Sequence, residues 1–216
     1  MSTSKTEQKE DSAPIMAAEE VVPEKHPLQN KWSLWYLKQD KSKDWKDNLK
    51  NVISFDTVED FWSVFNHIKP PSMIQSGCDY MLFKDGIQPA WEDAQNIKGG
   101  RWLLQIDKKD RRDVLDSFWL ETIMLLIGEG FDDSSDEVRG AVVQIRGKGD
   151  KIAIWTGNSK KTDDVMAIGR TFREKLMTLT RRPPYITYQS HDDVATKSGS
   201  VSKNMHTLGG GGHDHR

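Results

Sequence analysis

Gly140-Ala141-Val142-Val143-Gln144-Ile145-Arg146-Gly147-Lys148-Gly149-Asp150-Lys151-Ile152-Ala153-Ile154-Trp155 is the stretch whose reading decides the fold. Two apolar runs, Gly140 to Arg146 and Lys151 to Trp155, flank Gly147-Lys148-Gly149-Asp150, and a glycine-rich loop of four residues between such runs predicts a β-hairpin. Toward the carboxyl terminus the spacing predicts a helix from about Thr162 to Leu179, with Val165, Ile168, Phe172, Leu176 and Leu179 in one stripe. Pro183-Pro184 bounds it before a short strand, Tyr185 to Tyr188. Toward the amino terminus a longer helix spans roughly Lys109 to Gly128, with Val114, Leu115, Phe118, Thr122 and Leu125 at steps of three and four. Strands are predicted at Arg101 to Ile106, Tyr80 to Phe83, Asn51 to Phe55 and Trp32 to Leu37. Asp56 and Thr57 offer cap oxygens to a helix carrying Val58, Phe61, Trp62, Phe65 and Ile68, and Pro70-Pro71 stops it. Three one-sided helices with a largely antiparallel sheet predict an α+β layer fold, with helices on one face and the other face free.

Composition narrows the function. The chain has 216 residues, enough for one domain with a proper core. Its longest uninterrupted apolar stretch, Ile123 to Ile127, is far below the roughly 18 residues of a membrane span. The amino-terminal segment carries no secretory-signal pattern, and the lone Cys78 fits a reducing compartment, cytosol or nucleus. Lysine and arginine number 31 against 33 acidic residues, a net charge of −2, so a grip on long nucleic acid through its backbone is not expected. Residues 1–25, rich in Lys, Glu, Ser, Ala and Pro, read as a disordered tail, 26–203 as the domain, and 204–216 as a flexible tail. Two histidines in that last segment, His213 and His215, are too few for a stable metal site, and no cofactor is expected. Asp132-Asp133 and His191-Asp192-Asp193 read as solvated loops rather than a catalytic cluster, so no catalytic residue is assigned.

The 8 tryptophans outnumber the 7 phenylalanines and 4 tyrosines, and context sorts them. Trp62 and Trp119 lie in helices and Trp32, Trp35 and Trp102 in apolar strands, where packing explains them. Trp45 and Trp91 stand in polar, turn-rich segments. Two readings stay open for these two: loop anchors folded onto the surface, or rings left free to stack on a flat ligand. Glu92 places two acceptor oxygens beside Trp91, suited to the two donors on a guanine edge. Arg146, Lys148 and Lys151 bracket the hairpin turn, and Trp155 shares a strand face with Lys151 and Ala153. Taken together these residues describe a clamp for a charged purine nucleotide.

The segments His26-Pro27-Leu28-Gln29-Asn30, Phe55-Asp56-Thr57-Val58-Glu59-Asp60-Phe61-Trp62, Phe83-Lys84-Asp85-Gly86-Ile87, Gly99-Gly100-Arg101-Trp102, Phe118-Trp119-Leu120-Glu121, Lys148-Gly149-Asp150-Lys151-Ile152 and Thr196-Lys197-Ser198-Gly199-Ser200 resemble the eukaryotic translation initiation factor 4E family. The resemblance covers about residues 26 to 203. It implies a curved, largely antiparallel sheet, three helices on the convex face, and a site on the concave face for the 7-methylguanosine 5′ cap of messenger RNA. Trp45 and Trp91 match the sandwiching rings, Glu92 the contact to the base edge, and Trp155 the ring beside the methyl group. Arg101, Arg146 and Lys151 match triphosphate contacts, and Lys197 lies in a loop near the second nucleotide. His26, Pro27, Val58, Trp62, Leu120, Glu121, Met124 and Gly128 match the surface for a scaffold initiation factor. Repressors carrying the same Tyr-x-x-x-x-Leu-hydrophobic helix would compete there. Ser200 matches a phosphorylated position. The family implies a non-enzymatic, monomeric factor that recruits capped messenger RNA to the scaffold, the alternative being a cap-binding repressor without productive recruitment.

Overall fold

The structure, a computed structural model, describes residues 24–38, 40, 42, 44–196 and 204–209, with the side chains at 45, 46 and 194–196 outside that description. Among the described residues eight strands form one antiparallel sheet, β1 (Pro27–Lys38), β2 (Leu49–Thr57), β3 (Cys78–Lys84), β4 (Gly100–Asp107), β5 (Val138–Gln144), β6 (Gly149–Thr156), β7 (Ile186–Ser190) and β8 (His206–Leu208). Their order across the curved sheet is β2-β1-β3-β5-β6-β4-β7-β8. The deciding hairpin is β5–β6, with Gln144 opposite Lys151 and Val142 opposite Ala153. Alternation then assigns the faces. Tyr80, Leu82, Trp102, Leu104, Val143, Ile152 and Ile154 point to the back, into the main core. Met81, Phe83, Leu103, Val142, Ala153 and Trp155 point forward as a second, smaller cluster.

Three long helices, α2 (Val58–His67), α3 (Asp116–Ile127) and α4 (Thr162–Met177), bury their apolar stripes in the back core. The Thr57 hydroxyl caps α2, accepting from the Asp60 N–H at 3.2 Å and donating to its carboxylate at 2.7 Å. In α4 the stripe includes Gly169, where a Cβ would lie 2.3 Å from the Trp102 indole. The missing side chain lets Trp102 reach under the helix, where its Nε1 donates to the Val165 carbonyl at 2.7 Å. No helix among the described residues is long and apolar enough to cross a membrane.

The structure departs from the sequence reading in four places. The helix expected from Lys109 starts as a wide π turn, Arg111–Leu115, before α3 proper. That turn coincides with Arg111 reaching across to Asp150, a long-range pairing that periodicity does not reveal. Two short helices join the three long ones, α1 (Trp45–Asn48) and α5 (His191–Thr196), both on the front side of the sheet. His191, read as part of a solvated loop, is buried, because its ring packs against Trp155 with centroids 4.3 Å apart. Finally, within the segment assigned to a flexible tail, His206–Leu208 form the edge strand β8 by pairing with β7. Three residues are too few to show a period, and the open backbone edge of β7 supplies the partners. Residues 1–23 lie outside the described residues.

Candidate functional site

On the front of the sheet, opposite the long helices, a cleft of about 410 Å³ opens over Met81, Val142, Ala153 and Leu37. Its apolar floor follows from strand alternation, and loops and short helices make its rim. Pro89, Ala90, Trp91 and Glu92 stand on one side, and Asn48, at the end of α1, on another. Trp91 is 45% exposed, a large ring left uncovered by the protein's own packing. The loop carrying it is stapled from inside. Asn96, fully buried, donates to the carbonyls of Gln88 and Ala90, each at 2.9 Å. The Asp93 carboxylate accepts from the backbone N–H groups of Gln88 at 3.0 Å and Gln95 at 2.8 Å. Trp91 and Glu92 thus sit at the tip of a fixed loop rather than a floppy one.

The backbone places Trp45 at the start of α1, three residues before the cleft-lining Asn48. Its ring lies among the side chains outside the description, and Lys197 and Ser200 lie outside the described residues altogether. Asn48 fastens this segment too, donating to the Asp40 carbonyl at 2.9 Å.

At the other end of the cleft Trp155 is almost buried, edge-on to Phe83 at 5.4 Å and packed against His191. Burial, then the neighbouring Arg101 charge, pushes the His191 imidazole down to about 3, so it stays neutral. The buried Arg101 Nε, Trp155 Nε1 and His191 Nε2 have no hydrogen-bond partner among the described residues.

Cations form the remaining wall. Arg146 is gripped by the buried Asp79, its Nη1 donating to one carboxylate oxygen and its Nη2 to the other at 2.9 Å. That partnership raises the guanidinium pKa above its ordinary value. Gln144 donates to the same carboxylate at 3.2 Å. Behind Arg146, the Arg111 Nε donates to buried Asp150 at 2.5 Å and its Nη2 to the Arg146 carbonyl at 2.9 Å, bracing the base of the hairpin. Lys151 shows the opposite tendency. Burial, with the charges of Arg101 and Arg146, lowers its ammonium pKa, and burial lowers that of Arg101. Cations pushed together in this way are relieved by an anion.

Trp91, Glu92, Arg101, Arg146 and Trp155 therefore line one cleft, with Lys151 beside Gln144 at its edge. Lys148 lies at the hairpin tip, outside the cleft lining. Asp79, Asp93, Asn96, Asp150, Arg111 and His191 are the residues sequence reasoning missed. A signal existed for one of them: Asp79 interrupts the apolar run Cys78 to Phe83, and a carboxylate inside a buried strand needs a partner.

On the opposite side, Val58 and Trp62 on α2 and Met124 on α3 are exposed, although Phe61, Trp119 and Ile123 beside them are buried. His26 tethers the start of β1 to this face, its carbonyl accepting from Val58 N–H at 2.9 Å and its Nδ1 meeting Glu59 at 2.6 Å. Pro27 pairs with Thr57, while Leu120 and Glu121 are half-buried on α3 and Gly128 caps that helix.

An antiparallel sheet with a stapled aromatic loop facing a braced cationic wall, and an uncovered apolar helix face behind it, defines a binding protein with two separate surfaces. The chain belongs to the eukaryotic initiation factor 4E family, whose model matches residues 27–206, and it is not an enzyme. Over 198 residues it is 55% identical to eukaryotic translation initiation factor 4E of Xenopus laevis, covering 92% of this chain and 91% of the relative. Among solved structures it is similar to Ascaris suum eIF4E-3 in complex with an m7G cap (48% identity, TM-score 0.79, 86% of this chain and 98% of that one). The Ascaris protein is also known in complex with an m2,2,7G cap. A third similar structure is C. elegans eIF4E-3 with the 4E-binding protein Mextli and a cap analog (44% identity, TM-score 0.77, 86% of this chain and 100% of that one).

Proposed function

We propose that this chain binds the 7-methylguanosine 5′ cap of messenger RNA in the front cleft and brings it to the scaffold initiation factor through the α2–α3 face. The observation that carries the reading is the fixed Trp91–Glu92 loop facing the Arg101–Lys151–Arg146 cations across an apolar floor. Methylation at N7 leaves the purine positively charged. A cation held between indole faces gains about 0.5–2 kcal/mol over its neutral counterpart, so Trp45 and Trp91 select the methylated base. Glu92 accepts the ring N–H and the exocyclic amine, which only guanine presents together on that edge. Trp155, backed by neutral His191, faces the methyl group. The triphosphate runs toward Arg101, Lys151 and Arg146, and Asp79 aims the last of these.

The exposed Val58, Trp62 and Met124 suit a partner helix that lays an apolar edge across α2 and α3. Repressors with the same Tyr-x-x-x-x-Leu-hydrophobic helix compete for it, and this uncovered face favours recruitment over a repressor lacking scaffold contact. The chain works as a monomer in the cytoplasm, and also in the nucleus, with Lys197 approaching the second nucleotide and Ser200 modified by phosphorylation. Titrating intrinsic fluorescence with 7-methyl-GTP and with GTP tests the reading. Strong quenching at far lower concentrations of the methylated nucleotide is expected, and equal affinity for the two would reject it.

A further inference from the structure

We infer that the chain carries a second RNA subsite: the groove at the end of β4, lined by β4, β7, the turn leading into α3 and residues 180–185, holds nucleotides downstream of the cap. The inference rests on the cap-binding reading above and extends it from the cap to the chain attached to it.

This groove, of about 840 Å³, has twice the room of the cap cleft, and the two adjoin. Arg101, in the cap cleft, donates from Nη2 to the Gln189 side chain at 3.3 Å, and Gln189 lines the groove. Gln105, in register with Lys151, lines it as well. One strand spacing, about 4.8 Å, therefore separates the phosphate-facing lysine from the start of the groove. A triphosphate that reaches Lys151 from the cleft has its next nucleotide delivered here.

The lining segments differ in chemistry. The segment 180–185 contributes Arg181, Arg182 and the exposed Tyr185. The segment after β4 contributes Asp107, Asp110 and Asp113, with Lys109 at 3.8 Å from Asp107. Carboxylates repel phosphates, so an RNA backbone is confined to the arginine segment. From there its bases reach Tyr185 and the uncharged Gln105 and Gln189. The carboxylates of the other segment accept hydrogen bonds from base amino groups. Tyr185 follows Pro183-Pro184, whose Pro184 carbonyl accepts from Arg173 Nε at 3.0 Å, so the ring stands on a stiff, anchored support. An exposed aromatic beside paired guanidinium groups is the combination that binds single strands without sequence preference.

The test compares the full chain's affinity for 7-methyl-GTP, a capped dinucleotide and a capped octanucleotide. The octanucleotide should bind at least ~5-fold more tightly than the dinucleotide, from one stacked base and the added phosphate contacts. The Arg181→Glu/Arg182→Glu double variant and Tyr185→Ala should each erase that gain and leave 7-methyl-GTP binding unchanged. Arg181→Lys/Arg182→Lys and Tyr185→Phe should keep most of it. Losing two phosphate contacts should also flatten the salt dependence by about 1.4 in log–log slope. A wild-type chain with no length-dependent gain overturns the inference, as does a gain that survives both disruptive variants. A groove that instead captures a protein while ignoring RNA length also overturns it. Failure of 7-methyl-GTP itself to bind is distinguishable from these, since it removes the cap reading and this subsite together.

Discussion

Asp79→Asn separates the aiming of Arg146 from every other feature of the cleft. The Asp79 carboxylate, 1% exposed, takes two N–H groups of Arg146 and the Gln144 amide. The substituted amide has the same shape but keeps one acceptor and turns a donor toward the guanidinium. Removing one partner of a fully buried ion pair costs about 3–5 kcal/mol. The Arg146 side chain is 34% exposed, so water compensates part of that. The expected loss of positioning falls to about 1.5–3 kcal/mol, the scale of one hydrogen bond to a charged group. Transferred to the phosphate site, it weakens 7-methyl-GTP binding about 10- to 150-fold. The assay is fluorescence titration with 7-methyl-GTP and with 7-methylguanosine, which has no phosphates. Only the triphosphate should be affected. A folded variant that binds 7-methyl-GTP as well as the wild type, or loses both ligands equally, would refute the role given to Asp79.

Glu92→Gln should weaken the methylated nucleotide by about 1.5–3 kcal/mol, because an amide donor then faces the guanine donors; unchanged discrimination against other methylated bases in the same titration would count against the base-edge contact. Trp62→Ala should abolish binding of a Tyr-x-x-x-x-Leu helical peptide in calorimetry while sparing the cap, and loss of both would indicate a folding defect. His191→Gln should alter acid stability in a defined window. The imidazole is depressed to about 3 by burial and by Arg101, so it is neutral when folded and protonates in the unfolded chain below about 6.5. The wild type is therefore unaffected by this group above pH 6.5 and loses about 1.4 kcal/mol per pH unit through it as pH falls from there toward 3. Denaturant melts across that range should show a shallower fall for the variant, and parallel curves would contradict the buried neutral histidine.

The hairpin, the three amphipathic stripes and the free front face were legible because each rests on local periodicity or turn chemistry. Val165, Ile168 and Phe172 announce α4, and Gly147 with Gly149 announces the turn. Trp91 was legible as a ring outside the core, since its polar neighbours offer none, and of the two readings left open for it the structure shows the exposed one. Long-range pairing was not. Arg111 and Asp150 are 39 residues apart and Asp79 and Arg146 are 67 apart, and no spacing rule connects them. His191 was misread because two aspartates follow it, although the side chain turns inward to Trp155 while Asp192 turns out. Edge strand β8 exists through its partner β7 rather than through its own composition.

The measurement that bears most directly on the account is the affinity of Trp45→Ala and Trp91→Ala, taken separately, for 7-methyl-GTP. Each indole face should contribute about 1–3 kcal/mol of stacking, so each variant should bind about 5- to 150-fold more weakly and lose much of its preference over GTP. Retention by either variant of wild-type affinity and methyl preference would contradict a base clamped between the two rings.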